Sequence, residues 1–127
     1  MTPPRRRRAQ TPRQYPRTAR INELVREIAA EEIERIDDER LELVAITSVD
    51  VDSDLRHAVV WFDSLRGEAD DEAVLEAFGD ARIALQAAIG RQARLKRTPT
   101  LSFKPDPAIR TAERVEQIIR EQQRDDG

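Results

Sequence analysis

From Thr18 onward, apolar residues recur at helical spacing. Ile21, Leu24, Val25, Ile28, Ala29, Ile33 and Ile36 fall at i, i+3, i+4, i+7 intervals, which puts them on one face of a helix. Thr18 is the predicted N-cap, and the helix is predicted to end near Ile36, before DDER. The period then shortens. LVAITSVDV (43–51) and AVVWFDSL (58–65) are β-branched and partly alternating. DSDLRH (52–57) between them is short and polar, which predicts an antiparallel hairpin. After a loop at 67–71, the helical period returns in Val74, Leu75, Phe78, Ala81, Leu85, Ala88 and Ile89. Gly79 and Gly90 interrupt it, so one bent helix and two short ones are both compatible with the pattern. Thr98-Pro99 ends that segment, and TLSFK (100–104) alternates as a third strand. Asp106 followed by Pro107 reads as an N-cap with proline at the first helical position. The final helix runs through Ile109, Ala112, Val115, Ile118 and Ile119 and is predicted to fray in EQQRDDG. The order is α-β-β-α(α)-β-α. It predicts an α+β domain in which helices cover one face of a three-stranded sheet and a helical crossover joins strands two and three.

A chain of 127 residues holds one such domain. Aromatics are only 4% of it, so the core should be mainly aliphatic. Residues 1–16 contain four of the seven prolines and five arginines with no apolar period. They are expected to form a disordered basic arm, with the domain over 17–120 and a frayed tail at 121–127.

Charge changes the picture further. The net charge is −3, but residues 1–20 carry seven arginines and no acid, while the rest of the chain is strongly acidic. Within that acidic body, Ala81 to Pro105 holds Arg82, Arg91, Arg94, Lys96, Arg97 and Lys104 and no Asp or Glu. Such asymmetry suggests a polyanion partner met by one face. The alternative is a solvated edge without a partner. Arg91, Arg94, Lys96 and Arg97 fall at the end of a helix and in the turn after it, where Arg91 and Arg94 share a face and can meet a phosphate track together. Cations that only cap a helix C-terminus are the bland reading of the same residues. Arg17 and Arg20, at the start of the first helix, are secondary candidates. Few strand aromatics are available for base stacking, which favours recognition of RNA shape and backbone.

Other chemistries find little support. There are no cysteines, which excludes disulfides, thiolate catalysis and Cys-ligated metals. No apolar run approaches a membrane span, and MTPPRRRRAQTPRQYPRT has no apolar signal core, which fits a cytoplasmic protein. Asp50, Asp52 and Asp54 have the spacing that opens a calcium loop, but Leu55 and Trp61 stand where glycine and glutamate are required. His57 is the only histidine, and the serines have no nucleophile-elbow context. Phosphate-loop and dinucleotide fingerprints are absent. No enzyme activity, cofactor or metal is expected. The runner-up to RNA binding is a protein-interaction module that uses its amphipathic helices.

RTARINELVREIAAEEI, LVAITSVDVDSDLRHAVVWF, GRQARLKRTPTLSFKPD and IRTAERVEQII follow one another in an order and spacing that resembles the ribosome-binding factor A family over about residues 17–120. The resemblance implies a type II KH fold, α-β-β-α-kink-α-β, without the GXXG loop of ordinary KH domains. It implies a monomeric, non-enzymatic protein that binds the small ribosomal subunit and assists late processing of its RNA. The family's Ala-x-Gly kink is expected at Ala81-Arg82-Ile83, with Ile83 in place of glycine. A literal Ala-x-Gly occurs four residues earlier, at Ala77-Phe78-Gly79. Nothing in the family pattern carries over to the arm before Arg17.

Overall fold

The computed structural model describes residues 14–126, with side chains over 18–112 and 114–123. The order is α1 (Gln14–Arg35), β1 (Val44–Val51), β2 (His57–Ser64), α2 (Asp71–Gln92), β3 (Thr100–Pro105) and α3 (Pro107–Asp126), with short 3-10 turns at Glu39–Leu41 and Glu68–Asp70. The fold is α+β, and the sheet order is β1-β2-β3. β1 and β2 form the predicted antiparallel hairpin, with a bulge between Ile46 and Ser48. β3 pairs parallel to β2, from His57↔Thr100 to Phe62↔Pro105. A parallel neighbour requires a crossover, and α2 supplies it.

Alternation in the strands sends Ile46, Val49, Val51, Ala58, Val60, Phe62, Leu101 and Phe103 to one face, where α1 and α2 bury them. α1 contributes Val25, Ile28, Ala29 and Ile33. α2 contributes Val74, Ala77, Phe78, Ala81, Leu85, Ala88 and Ile89. The few aromatics stand together at the centre. Phe78 stacks on Phe103 with centroids 4.5 Å apart and meets Phe62 at 5.3 Å. Side chains also cover backbone donors at both sheet edges. Asn22 Oδ1 accepts from the Val51 N–H at 2.8 Å, and Gln86 Oε1 accepts from the Leu101 N–H at 3.0 Å.

Three expectations need correction. α1 begins at Gln14, so Thr18 lies inside the helix and is not its cap. Pro16 does not stop it, because a first-turn N–H has no intrahelical partner to lose. Of the arm predicted over 1–16, residues 1–13 lie outside the described residues and the remainder is helical. Second, of the two alternatives left open, α2 is one continuous helix through Gly79 and Ala81-Arg82-Ile83 and not two short ones. Gly79 keeps its N–H and faces solvent, and the buried face on either side of it outweighs the glycine's intrinsic cost of about 1 kcal/mol. Ile83, in the place of the kink glycine, is 81% exposed.

Third, α3 does not cover the sheet, whose core face is already occupied by α1 and α2. Val115, Ile118 and Ile119 remain 50%, 54% and 48% exposed. Polar contacts hold the helix instead. Asp106 caps it as predicted: its Oδ1 accepts from the Ala108 N–H at 3.0 Å, and its own N–H donates to the Phe62 carbonyl at 2.7 Å. Arg110, only 7% exposed, donates to Asp71 at 2.6 and 2.8 Å and to Asp63 at 3.2 Å. The bonds to Asp71 raise the guanidinium pKa, against the desolvation that lowers it and with further help from Asp63. The helix continues to Asp126, past the predicted fraying point.

Two outcomes test this account. A Cβ at Gly79 meets nothing within 4 Å, so Gly79→Ala should stabilise the domain by about 0.5–1 kcal/mol in urea unfolding. Arg110→Met leaves Asp63 and Asp71 without their shared cation and should cost about 3 kcal/mol. It should also give a separate, lower-temperature loss of helical circular dichroism as α3 comes free.

Candidate nucleic-acid interface

Parallel pairing brings the starts of β2 and β3 to the same end of the sheet. The β1–β2 turn precedes His57 and the α2–β3 turn precedes Thr100, so the two turns lie side by side. The Thr100 N–H donates to the Arg56 carbonyl at 2.9 Å and fixes this juxtaposition. Gly90 helps the second turn fold back against α2, since a Cβ there would come 2.9 Å from Thr98 Oγ1.

Between the two turns and the start of α1 runs a groove of about 540 Å³. The α2–β3 turn lines it with Arg94, Lys96 and Arg97, and the β1–β2 turn with Asp52, Ser53 and Asp54. Ile21, Val51, Leu55 and Leu95 form an apolar floor. Val51 is part of the core, and the other three pack against it.

Two residues with positive φ line the groove: Leu55 at 62° and Arg94 at 54°. Arg94 follows the Ala93 cap of α2, the position where glycine commonly ends a helix. An arginine held in the left-handed region there costs about 1–2 kcal/mol relative to ordinary backbone. The turn accepts this cost and presents a guanidinium that has no ion-pair partner among the described residues.

The remaining candidates are not one patch. Arg91 is in the last turn of α2, whereas Arg94 lies past the Ala93 cap with positive φ, so the two do not share a helix face as expected; both are exposed. Arg82 is nine residues before Arg91, about half a turn away around the helix, so the two flank opposite sides of the outer face of α2. Arg20 is exposed on α1 between Thr18 and Ile21, both of which line the groove. Arg17 belongs to α1, but its side chain lies outside the described residues. Lys104 is on the open face of the sheet, with its Nζ 5.9 Å from the Trp61 ring centroid. Arg20, Arg82, Arg91, Lys96, Arg97 and Lys104 also form no ion pair with a described residue, unlike Arg40, which binds Asp38 at 2.7 Å and Asp80 at 3.0 Å.

Sequence reasoning missed the acidic wall. Asp50, Asp52 and Asp54 drew notice only as a calcium pattern, and they are used separately. Asp50 Oδ2 accepts from Trp61 Nε1 at 3.0 Å on the open sheet face. Asp54 Oδ1 accepts from the Arg56 N–H at 3.0 Å. Among the described residues, the Asp52 carboxylate forms an ion-pair contact only with His57 Nδ1, at 3.9 Å. The available signal was topological: a hairpin followed by a helical crossover puts residues 52–56 next to 93–99.

These features define a small KH-like α+β domain with a cationic turn and without a GXXG loop. The chain belongs to the ribosome-binding factor A family, whose model matches residues 17–119. A ribosome-binding factor A from Rubrobacter xylanophilus is 40% identical over 112 residues, covering 87% of this chain and 91% of that protein. The crystal structure of ribosome-binding factor A from Thermus thermophilus superposes with a TM-score of 0.64 at 32% identity, covering 69% of this chain and 94% of that one. A Thermus thermophilus homology model of the factor, fitted into the cryo-EM map of its 30S complex, gives 0.57 at 32% identity, covering 68% and 91%.

The strain at Arg94 yields a test. Arg94→Gly should stabilise the domain by about 1 kcal/mol, because glycine adopts positive φ without steric cost. The same substitution should weaken polyanion binding, and both effects can be read from one preparation by thermal unfolding and heparin-column elution.

Proposed function

We propose that this protein is a ribosome assembly factor that binds the free small (30S) ribosomal subunit and assists late maturation of its 16S rRNA. The observation that carries this reading is the turn holding Arg94, Lys96 and Arg97. Its three exposed cations lie together without acidic partners among the described residues, in a body that is otherwise acidic. Membership of the family and the 30S complex of a Thermus relative support the same partner. Arg91, Arg82, Arg20, Arg17 and Lys104 add further phosphate contacts outside this centre. The role of all of them is positional and electrostatic, and the protein acts by binding, as a cytoplasmic monomer without cofactor or covalent chemistry. No described helix is long and apolar enough to cross a membrane.

A second reading, a protein-interaction module, has one observation in its favour: the half-exposed apolar stripe of Val115, Ile118 and Ile119 on α3.

Co-sedimentation with small subunits, large subunits and assembled ribosomes separates the two. The three cations of the turn alone should make small-subunit binding fall roughly 20- to 40-fold between 50 and 200 mM salt, and the further contacts should steepen that fall. Arg94→Glu with Arg97→Glu should abolish it with the melting transition retained. Salt-insensitive binding that survives this double substitution but is lost with Ile118→Asp would favour the protein-interaction reading.

A further inference from the structure

We propose that the groove between the two turns is a nucleotide-reading site that takes a single unpaired guanosine. The inference rests on the RNA-binding reading above and deepens it. A mere phosphate track needs cations and nothing else. This groove has three different surfaces, and each suits a different part of one nucleotide. Arg94, Lys96 and Arg97 face the phosphate side. Ile21, Leu55 and Leu95, half-buried, offer an aliphatic floor on which a base can lie flat. Asp52 lines the same groove from the β1–β2 turn, and its carboxylate accepts hydrogen bonds and donates none. The volume of about 540 Å³ lies within the range of small-ligand sites.

The acid from the β1–β2 turn selects the base. Guanine alone carries two adjacent donors, N1–H and the N2 amine, on its Watson–Crick edge, and they match the two oxygens of one carboxylate. Adenine and cytosine each set one exocyclic amine beside an acceptor that repels a carboxylate. Uracil places its one donor between two carbonyls. Asp52 is the better reader of the two acids, because Asp54 already accepts from the Arg56 N–H at 3.0 Å. Double-stranded RNA cannot use the site, since pairing occupies that edge. The groove therefore favours an unpaired or splayed-out residue.

The experiment uses the full chain and four RNA hexamers that differ only at one central position, G, A, C or U, in a uridine background. Binding is measured by fluorescence anisotropy at low salt, with small-subunit co-sedimentation in parallel. The G hexamer should bind about tenfold tighter than the all-U hexamer, in line with one good bidentate base contact. Asp52→Asn, which is isosteric, should remove that preference, read as the ratio of G to all-U binding, while Arg94→Ala should weaken all four hexamers by the same factor. Equal binding of the four overturns the inference, as does an Asp52→Asn variant that keeps the full preference for G. If the protein sediments with small subunits but binds no hexamer, the inference falls and the RNA reading stands. If it binds neither, both fall. Binding of an arginine-rich peptide with no hexamer bound would assign the acidic wall to a protein and overturn it.

Discussion

The parallel pairing of β3 with β2 is the constraint on which the rest of this molecule depends. It commits the chain to a crossover, and α2 is that crossover. It sets Leu101 and Phe103 beside Ala58 and Val60 on the buried face, where Phe78 stacks on Phe103. It also makes β2 and β3 begin at one end of the sheet, so that two turns far apart in sequence become two walls of one groove. Pulling β3 out of register would empty the core of an aromatic and take the basic turn away from the acidic one.

The distribution of charge partners follows a division of labour. Arg40 and Arg110 join separate elements, and each has at least two carboxylates around it. Arg110 is the more demanding case, since burial without Asp71 and Asp63 would strand a cation away from water. The cations of the α2–β3 turn have no such ties among the described residues and stay in solvent, where their long side chains keep rotamer freedom.

Strain follows the same division. The described non-glycine residues with positive φ, Leu55 and Arg94, both line the groove. A rigid scaffold of sheet and α2 can hold a costly backbone at its rim because the core below is closely packed around Phe62, Phe78 and Leu85.

Most of the fold was legible in the sequence because it is written in local periods. Apolar residues at helical spacing marked α1 and α2, alternation marked the hairpin, and Asp106-Pro107 marked the start of α3. The cationic turn was legible too, as an acid-free run in an acidic chain. Local patterns could not say that α2 passes Gly79 unbroken, because the packing of Ala77, Phe78 and Ala81 decides that. Nor could they say that α3 stands away from the sheet, since its stripe of Val115, Ile118 and Ile119 looks like a core face until α1 and α2 are seen to fill the space. That Asp52 and Arg94 line one groove depends on contacts between segments some forty residues apart in the chain. Side-chain periodicity specifies which face a residue takes within its own element. Only the order and direction of the strands decides which elements become neighbours.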